Sequence, residues 1–209
     1  MGLTSLFLEM KDKTVLIVGT GSVGIRRARR FLDTEACVKI VTKDIDDEIK
    51  EEFLDKGATF YDNNMLDSLI EESDLVVVAT NDLNLNKELA IKAQDKLINC
   101  SSDISLSNVI VPSTFKIGSV TVSLYTDSKS PLMAKTLRKK IQSIITPEDI
   151  LHIEFQEHIR KLLKKQVPDQ KDRKEYMILL DNDETIKNYL KEGKLKQAKS
   201  YAENIIKDI

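Results

Sequence analysis

The chain has no tryptophan, and only two cysteines, two histidines and four prolines among 209 residues. Cys37 and Cys100 each sit in an apolar, strand-like stretch, so two buried free thiols are expected rather than a disulfide framework. His152 and His158 are six apart and do not share a helix face. There is no HExxH, no CxxC and no carboxylate cluster at metal spacing, so no resident metal site is expected. No apolar run approaches the ~20 residues that a membrane span needs. The N-terminus lacks the basic region and apolar core of a secretory signal. Basic residues number 32 and acidic 34, a net charge of −2, which argues against a general nucleic-acid or membrane-surface binder. The expectation is a cytoplasmic protein with no nucleic-acid and no membrane partner.

What the chain does have is a glycine turn in a specific setting. Residues 15–18, Val-Leu-Ile-Val, read as a buried strand. They run into Gly19-Thr20-Gly21-Ser22-Val23-Gly24, and a helix-compatible segment follows. Gly19 suits the tight turn, Gly21 lets the backbone approach a pyrophosphate, and Gly24 lets the helix pack close to the strand. The free N–H groups at the helix start, around Ser22 and Val23, then face the phosphates. The reading is a dinucleotide-binding turn, with an ordinary strand-to-helix turn as the alternative. Arg26, Arg27, Arg29 and Arg30 crowd the outer helix faces, either as solvated surface or as a cationic rim near an anionic ligand.

Residues 37–41 read as the second strand. An acidic residue often closes this strand in an NAD-binding unit and takes the ribose 2′-hydroxyl. Here Thr42 and Lys43 close it, with Asp44 one further on. Asp44 suits the hydroxyl and Lys43 a 2′-phosphate, so NAD and NADP both stay open. Residues 46–56 read as a charged helix, 58–61 as a third strand, 66–72 as a short helix and 74–80 as a central strand. That strand ends in Thr80-Asn81-Asp82, placed to meet a cofactor and equally suited to cap a helix. A helix over 87–96 and a strand over 97–100 follow. The alternation predicts an α/β fold, a Rossmann-type doubly wound parallel sheet.

The pattern then changes. Residues 108–111 and 120–125 read as two strands punctuated by Pro112 and Gly118, a pair suited to dimerisation. Ser130-Pro131 opens a helix with an apolar stripe of Met133, Leu137, Ile141 and Ile144. Residues 147–209 read as all helix, with a charged linker over 168–174 and a break near Gly193. The expected organisation is a dinucleotide-binding domain over 1–112, a central dimerisation region over 113–147 and a helical module over 148–209.

Four segments, in order, carry a resemblance: LFLEMKDKTVLIVGTGSVGIRRARRFL, VVVATNDLNLNKELA, NCSSDISLSNVIVPSTF and VTVSLYTDSKSPLMAKTLRKKI. Over roughly residues 5–147 the chain resembles the siroheme-synthase N-terminal family, the precorrin-2 dehydrogenase and sirohydrochlorin ferrochelatase group. The resemblance implies a homodimer that oxidises precorrin-2 to sirohydrochlorin with NAD⁺, and in some members inserts Fe²⁺ as a second activity. The substrate is a flat tetrapyrrole with eight carboxylates. The cofactor is expected at Gly19, Gly21, Ser22, Val23, Gly24, Thr42, Lys43, Asp44, Thr80, Asn81 and Asp82.

Lys135, Arg138 and the arginines after Gly24 are candidates for the substrate carboxylates. Ser130 matches a family serine near the tetrapyrrole pocket, although its N-cap position accounts for it alone. The family's catalytic aspartate falls on Ser102 in an ungapped match, with Asp103 one residue later. The catalytic role is expected at Asp103, with Ser102 beside the substrate. Asp127 and Ser128 stand where the family has paired glycines. Two other readings remain: an NAD(H)-sensing regulatory module without chemistry, and a chelatase that has lost dehydrogenation.

Overall fold

Five apolar runs become five parallel strands: β1 (Thr14–Val18), β2 (Cys37–Val41), β3 (Thr59–Tyr61), β4 (Leu75–Val78) and β5 (Leu97–Cys100). Their order is β3-β2-β1-β4-β5. The chain leaves β1 towards β2 on one side and returns to β4 on the other, so the sheet reverses its winding between β1 and β4. The computed structural model describes residues 2–207. It divides the chain into two units, one up to Val111 and one from Pro112 on, and the sheet belongs to the first.

Successive strand residues point to opposite faces, and both faces are covered. On one face Leu16, Val18, Val76, Val78 and Ile98 pack with Leu69 and Ile70 of α3 (Leu66–Glu71) and Leu89 and Ala90 of α4 (Leu83–Lys92). On the other, Val15, Ile17, Val38, Ile40 and Val77 pack with Ala28 and Phe31 of α1 (Ser22–Leu32) and Phe53 of α2 (Asp47–Asp55). This is the doubly wound parallel sheet that the alternation predicts.

Asp74 ties the start of β4 to the start of β1. Its carboxylate accepts the Thr14 amide and the Lys13 ammonium, both at 2.9 Å. Those two donors, the amide first, hold its pKa below the usual carboxylate range. A depressed carboxylate stabilises the fold above its unfolded value, near ~3.9, and loses that contribution as pH falls through the folded value. Asp74→Asn is therefore expected to flatten the acid limb of stability. Urea unfolding of both proteins across that range checks it, and parallel limbs would refute it.

The second unit opens on an antiparallel hairpin, β6 (Ser113–Ile117) and β7 (Val120–Leu124), which stands as its own two-stranded sheet. Gly118 turns it at φ +54°, and a Cβ there would meet Ile150 Cγ2 at 2.6 Å. Helices α5 (Pro131–Ile144), α6 (Pro147–Gln166), α7 (Gln170–Asp181), α8 (Glu184–Lys191) and α9 (Leu195–Lys207) follow. Phe155, Ile159 and Leu163 of α6 form a core with Leu180, Ile186, Leu190, Ala198, Ala202 and Ile206. Asp181 of α7 also accepts from Gln156 at 2.6 Å, and His158 meets Glu203 of α9 at 2.7 Å.

The structure corrects several sequence expectations. Residues 108–111 are not a strand; the strand begins after Pro112. Asn108 instead uses its side chain as a clamp on β5, accepting from the Ile98 amide at 2.8 Å and donating to the Lys96 carbonyl at 2.7 Å. The helix expected from residue 87 starts at Leu83, because Asp82 caps it through the Asn84 and Leu85 amides. Most of the expected linker 168–174 is helix: Asp169 caps α7, and residues 167–169 alone separate it from α6.

Cys100 is buried but Cys37 is exposed. It opens β2, whereas β3 pairs only from Lys39 on. The α5 stripe is not a core face. No α5 residue is buried, and Met133 and Ile144 are 46 % and 71 % exposed. The helical expectation ran to residue 209; Asp208 and Ile209 lie outside the described residues.

Candidate active site

The ends of β1, β2 and β4 open onto a cleft of about 390 Å³. From β1 come Gly19, Thr20 and Gly21; from β2, Thr42, Lys43 and Asp44; from β4, Ala79, Thr80, Asn81 and Asp82. Ligands collect at such carboxyl ends where the winding reverses.

The glycines divide the work. Gly19 has φ +92°, and a Cβ there would lie 2.6 Å from the Ala79 carbonyl oxygen. A Cβ on Gly24 would lie 1.9 Å from the Gly19 carbonyl oxygen. Both therefore serve close packing of α1, β1 and β4. Gly21 differs: a Cβ there would meet nothing within 4 Å. Its missing side chain leaves the cradle open. Gly21 is also the N-cap of α1, with no capping side chain and no acidic residue in the first turn. The first main-chain bond within this end is Ile25 N–H to the Gly21 carbonyl at 3.0 Å. The amides of Ser22, Val23 and Gly24 before it form the free helix end, which favours an anion. An open cradle at an uncapped helix start fits a dinucleotide pyrophosphate.

The second wall is knit by hydroxyls. Thr20 and Thr42 Oγ1 are 2.6 Å apart, and they reach the Asp44 carbonyl at 2.7 and 2.9 Å. Asp44 thus contributes its main chain to the wall.

The third wall hangs on Asn86, which the sequence reading missed. Asn86 is fully buried on α4. Its Oδ1 accepts from Thr80 N at 3.1 Å and Thr80 Oγ1 at 2.6 Å. Its Nδ2 donates to the Thr80 carbonyl at 2.9 Å and to Ser102 Oγ at 3.2 Å. One side chain so fixes both main-chain groups of Thr80 and holds the loop after β5. Asn86→Ala is expected to cost about 2 kcal/mol, because buried partners lose their bonds, and to raise the KM for the dinucleotide. Chemical unfolding and cofactor titration check both; a neutral substitution would contradict the assigned clamp.

Ser102 and Asp103 do not share an environment. Ser102 Oγ is tied inward, to Asn86 and to Cys100 Sγ at 3.4 Å. Asp103 is exposed and caps the one-turn helix Ile104–Leu106. It accepts from Ser105 Oγ at 2.7 Å and Ser105 N at 2.8 Å. These bonds, the hydroxyl first, hold its carboxyl below the usual range, so it is ionised at neutral pH.

On α1, Arg27 Nε is buried without a hydrogen-bond partner among the described residues. Burial, then Arg30 and Arg26, lower its pKa to about 10. Asn99 Oδ1 on β5 is likewise buried and unpartnered among the described residues. Ser130, Lys135 and Arg138 belong to the second unit. Ser130 caps α5 through the Met133 amide at 3.1 Å, and Arg138 lies over the Phe115 ring at 5.5 Å. Asp127 pairs with Lys129 at 2.8 Å, which offsets the carboxylate standing in the family's glycine pair. Both Asp127 and Ser128 take positive φ, 55° and 57°, the conformation that glycine would adopt without strain. Asn63 and Leu85 also line the cleft and carried no local signal in the sequence.

Comparison with known proteins adds three findings. Residues 6–113 match the family described as "Putative NAD(P)-binding". Among curated proteins, the chain is 31 % identical to a "Putative precorrin-2 dehydrogenase" of Methanocaldococcus jannaschii, covering 89 % of this chain and 93 % of that protein. It is 28 % identical to the precorrin-2 dehydrogenase of Methanosarcina barkeri, over 94 % of this chain and 91 % of the relative. Among solved structures, one described as SirC, precorrin-2 dehydrogenase, superposes with a TM-score of 0.77 at 25 % identity, covering 97 % of this chain and all of the other.

Proposed function

Since the chain belongs to the siroheme-synthase N-terminal family, with its precorrin-2 dehydrogenases and an NAD(P)-binding first domain, we propose that it oxidises precorrin-2 to sirohydrochlorin with NAD⁺. One hydride and one proton leave the macrocycle, giving NADH and a proton. Bound nicotinamide nucleotide supplies the hydride acceptor. The observation that carries the reading is the open Gly21 cradle at the uncapped start of α1, in a chain with full-length precorrin-2 dehydrogenase relatives.

The chain's own residues take the remaining tasks. The amides of Ser22, Val23 and Gly24 hold the pyrophosphate. The wall of Thr42, Lys43 and Asp44 takes the adenosine ribose, and Thr80, Asn81 and Asp82, braced by Asn86, take the nicotinamide side. Asp103, ionised at neutral pH, accepts the proton. Arg27, a half-buried cation with no ion pair among the described residues, favours a substrate carboxylate. Lys135 and Arg138 serve other carboxylates. A homodimer is part of the reading, supported by the uncovered Leu132, Met133 and Ile144 on α5.

Anaerobic incubation with precorrin-2 and NAD⁺ tests it: one NADH per sirohydrochlorin is expected, and no NADH with an unchanged precorrin spectrum would overturn it. Fe²⁺ insertion, which would use the same carboxylate to take pyrrole protons, is separated by an assay on sirohydrochlorin without NAD⁺.

A further inference from the structure

The charge of the chain is not evenly spread. Residues 112–209 carry 19 basic and 14 acidic side chains, against 13 and 20 in residues 1–111. Within the second unit the excess concentrates at the junction of α6 and α7, where residues 160–174 hold seven basic and two acidic side chains. There a groove of about 330 Å³ opens between the end of α6 and the start of α7. Arg160 and Lys164 line it from α6, and Arg173 and Lys174 from α7, over a floor of Leu163 and Met177.

These positions are no accident of a solvated face. The α6 pair is spaced i, i+4 around Leu163, and Arg173, Lys174 and Met177 share one face of α7. Among the described residues, no carboxylate lines the groove. None of the four cations has an ion pair among the described residues, whereas neighbouring Lys161 is paired with Glu157. Asp169 is spent on capping α7, through Lys171 N and Asp172 N at 2.7 and 3.0 Å. Arg173 is held in place because its Nη1 donates to the Val167 and Pro168 carbonyls, at 2.7 and 2.6 Å. A pre-positioned guanidinium, three unpaired cations and an apolar floor suit a ligand that is flat and apolar in the middle and anionic at its edge.

We infer that this groove, formed by the second unit alone, docks the carboxylate-bearing edge of the tetrapyrrole. The inference rests on the proposed function for the identity of the ligand. The groove is too small to enclose a whole macrocycle, so it grips one edge and leaves the rest exposed.

The test uses the full chain and uroporphyrin, a stable porphyrin with eight carboxylates, titrated by fluorescence at low and high salt. Lys164→Glu/Lys174→Glu is expected to lose one bound porphyrin per chain, and the loss should mimic the effect of salt. Lys165→Glu/Lys171→Glu, the same charge change outside the groove, should retain it. Should the double variant prove unfolded, Arg160→Gln on the exposed rim is expected to weaken the same site about tenfold. With precorrin-2 and NAD⁺, the groove variant should show a raised KM for precorrin-2 and the control variant an unchanged one. Equal porphyrin stoichiometry in groove variant and unmodified chain, or equal loss in the control, overturns the inference. If the unmodified chain binds porphyrin through the groove yet never forms NADH, the groove stands and the proposed reaction falls.

Discussion

Gly21→Asp abolishes dinucleotide binding and leaves the fold intact. The two halves of this expectation come from different observations. A Cβ at Gly21 meets no atom within 4 Å, so the protein has room for a side chain there. That same space lies at the uncapped start of α1, where the pyrophosphate is proposed to sit. A carboxylate would cap the free amides itself and set a negative charge against the phosphates. NADH fluorescence titration should show no binding, with an unfolding midpoint within about a degree or two of the unmodified protein. Gly24→Ala is the contrast. Its Cβ would lie 1.9 Å from the Gly19 carbonyl oxygen, so α1 must move off β1, and stability falls together with binding. Unchanged NADH affinity in Gly21→Asp would remove the glycine turn from the site.

Asp103→Asn is expected to lower kcat by at least ~10², the lower end for an acid–base group, with dinucleotide affinity unchanged. The asparagine keeps the shape and an acceptor for the Ser105 amide, so the one-turn helix behind it should survive. A pH profile adds a readout that a structural role would not move. The Ser105 hydroxyl and amide hold Asp103 below the usual carboxylate range, so the acid limb should lie below that of an ordinary carboxylate. Ser105→Ala removes the larger of those two causes and should shift the acid limb of kcat/KM upward. Near-normal turnover in Asp103→Asn, or an acid limb that ignores Ser105, would return the role to the Ser102 position or to another group.

The first unit was legible because its signals are local. Four-residue apolar runs, a glycine turn and alternating helices leave little freedom in a parallel sheet, and β1, β2 and β4 fall where those runs lie. The Gly19–Gly24 turn was equally plain. What escaped was set by tertiary partners. Asn86 looks like one more polar residue in a helix near its start, and only the fold shows it buried under Thr80. Asn63 reaches the cleft from a loop with no pattern of its own. The segment at residues 108–111 is apolar enough for a strand, but Asn108 spends its side chain on the edge strand β5, and the Asn108 and Val109 amides both go to the one Ile98 carbonyl rather than to a regular ladder. The α5 stripe had the right period for a core face and stays exposed, since periodicity marks an apolar face and not what covers it. At the end of β2 the sequence offered Asp44 as a ribose partner; in the structure its carbonyl, not its carboxylate, is what Thr20 and Thr42 engage.

A calorimetric titration of NAD⁺ into the unmodified chain tests most directly whether the cleft at the ends of β1, β2 and β4 is a nicotinamide nucleotide site. One nucleotide should bind per chain with a saturable heat. No heat and no competition from either NAD⁺ or NADP⁺, in a protein shown to be folded, would contradict it.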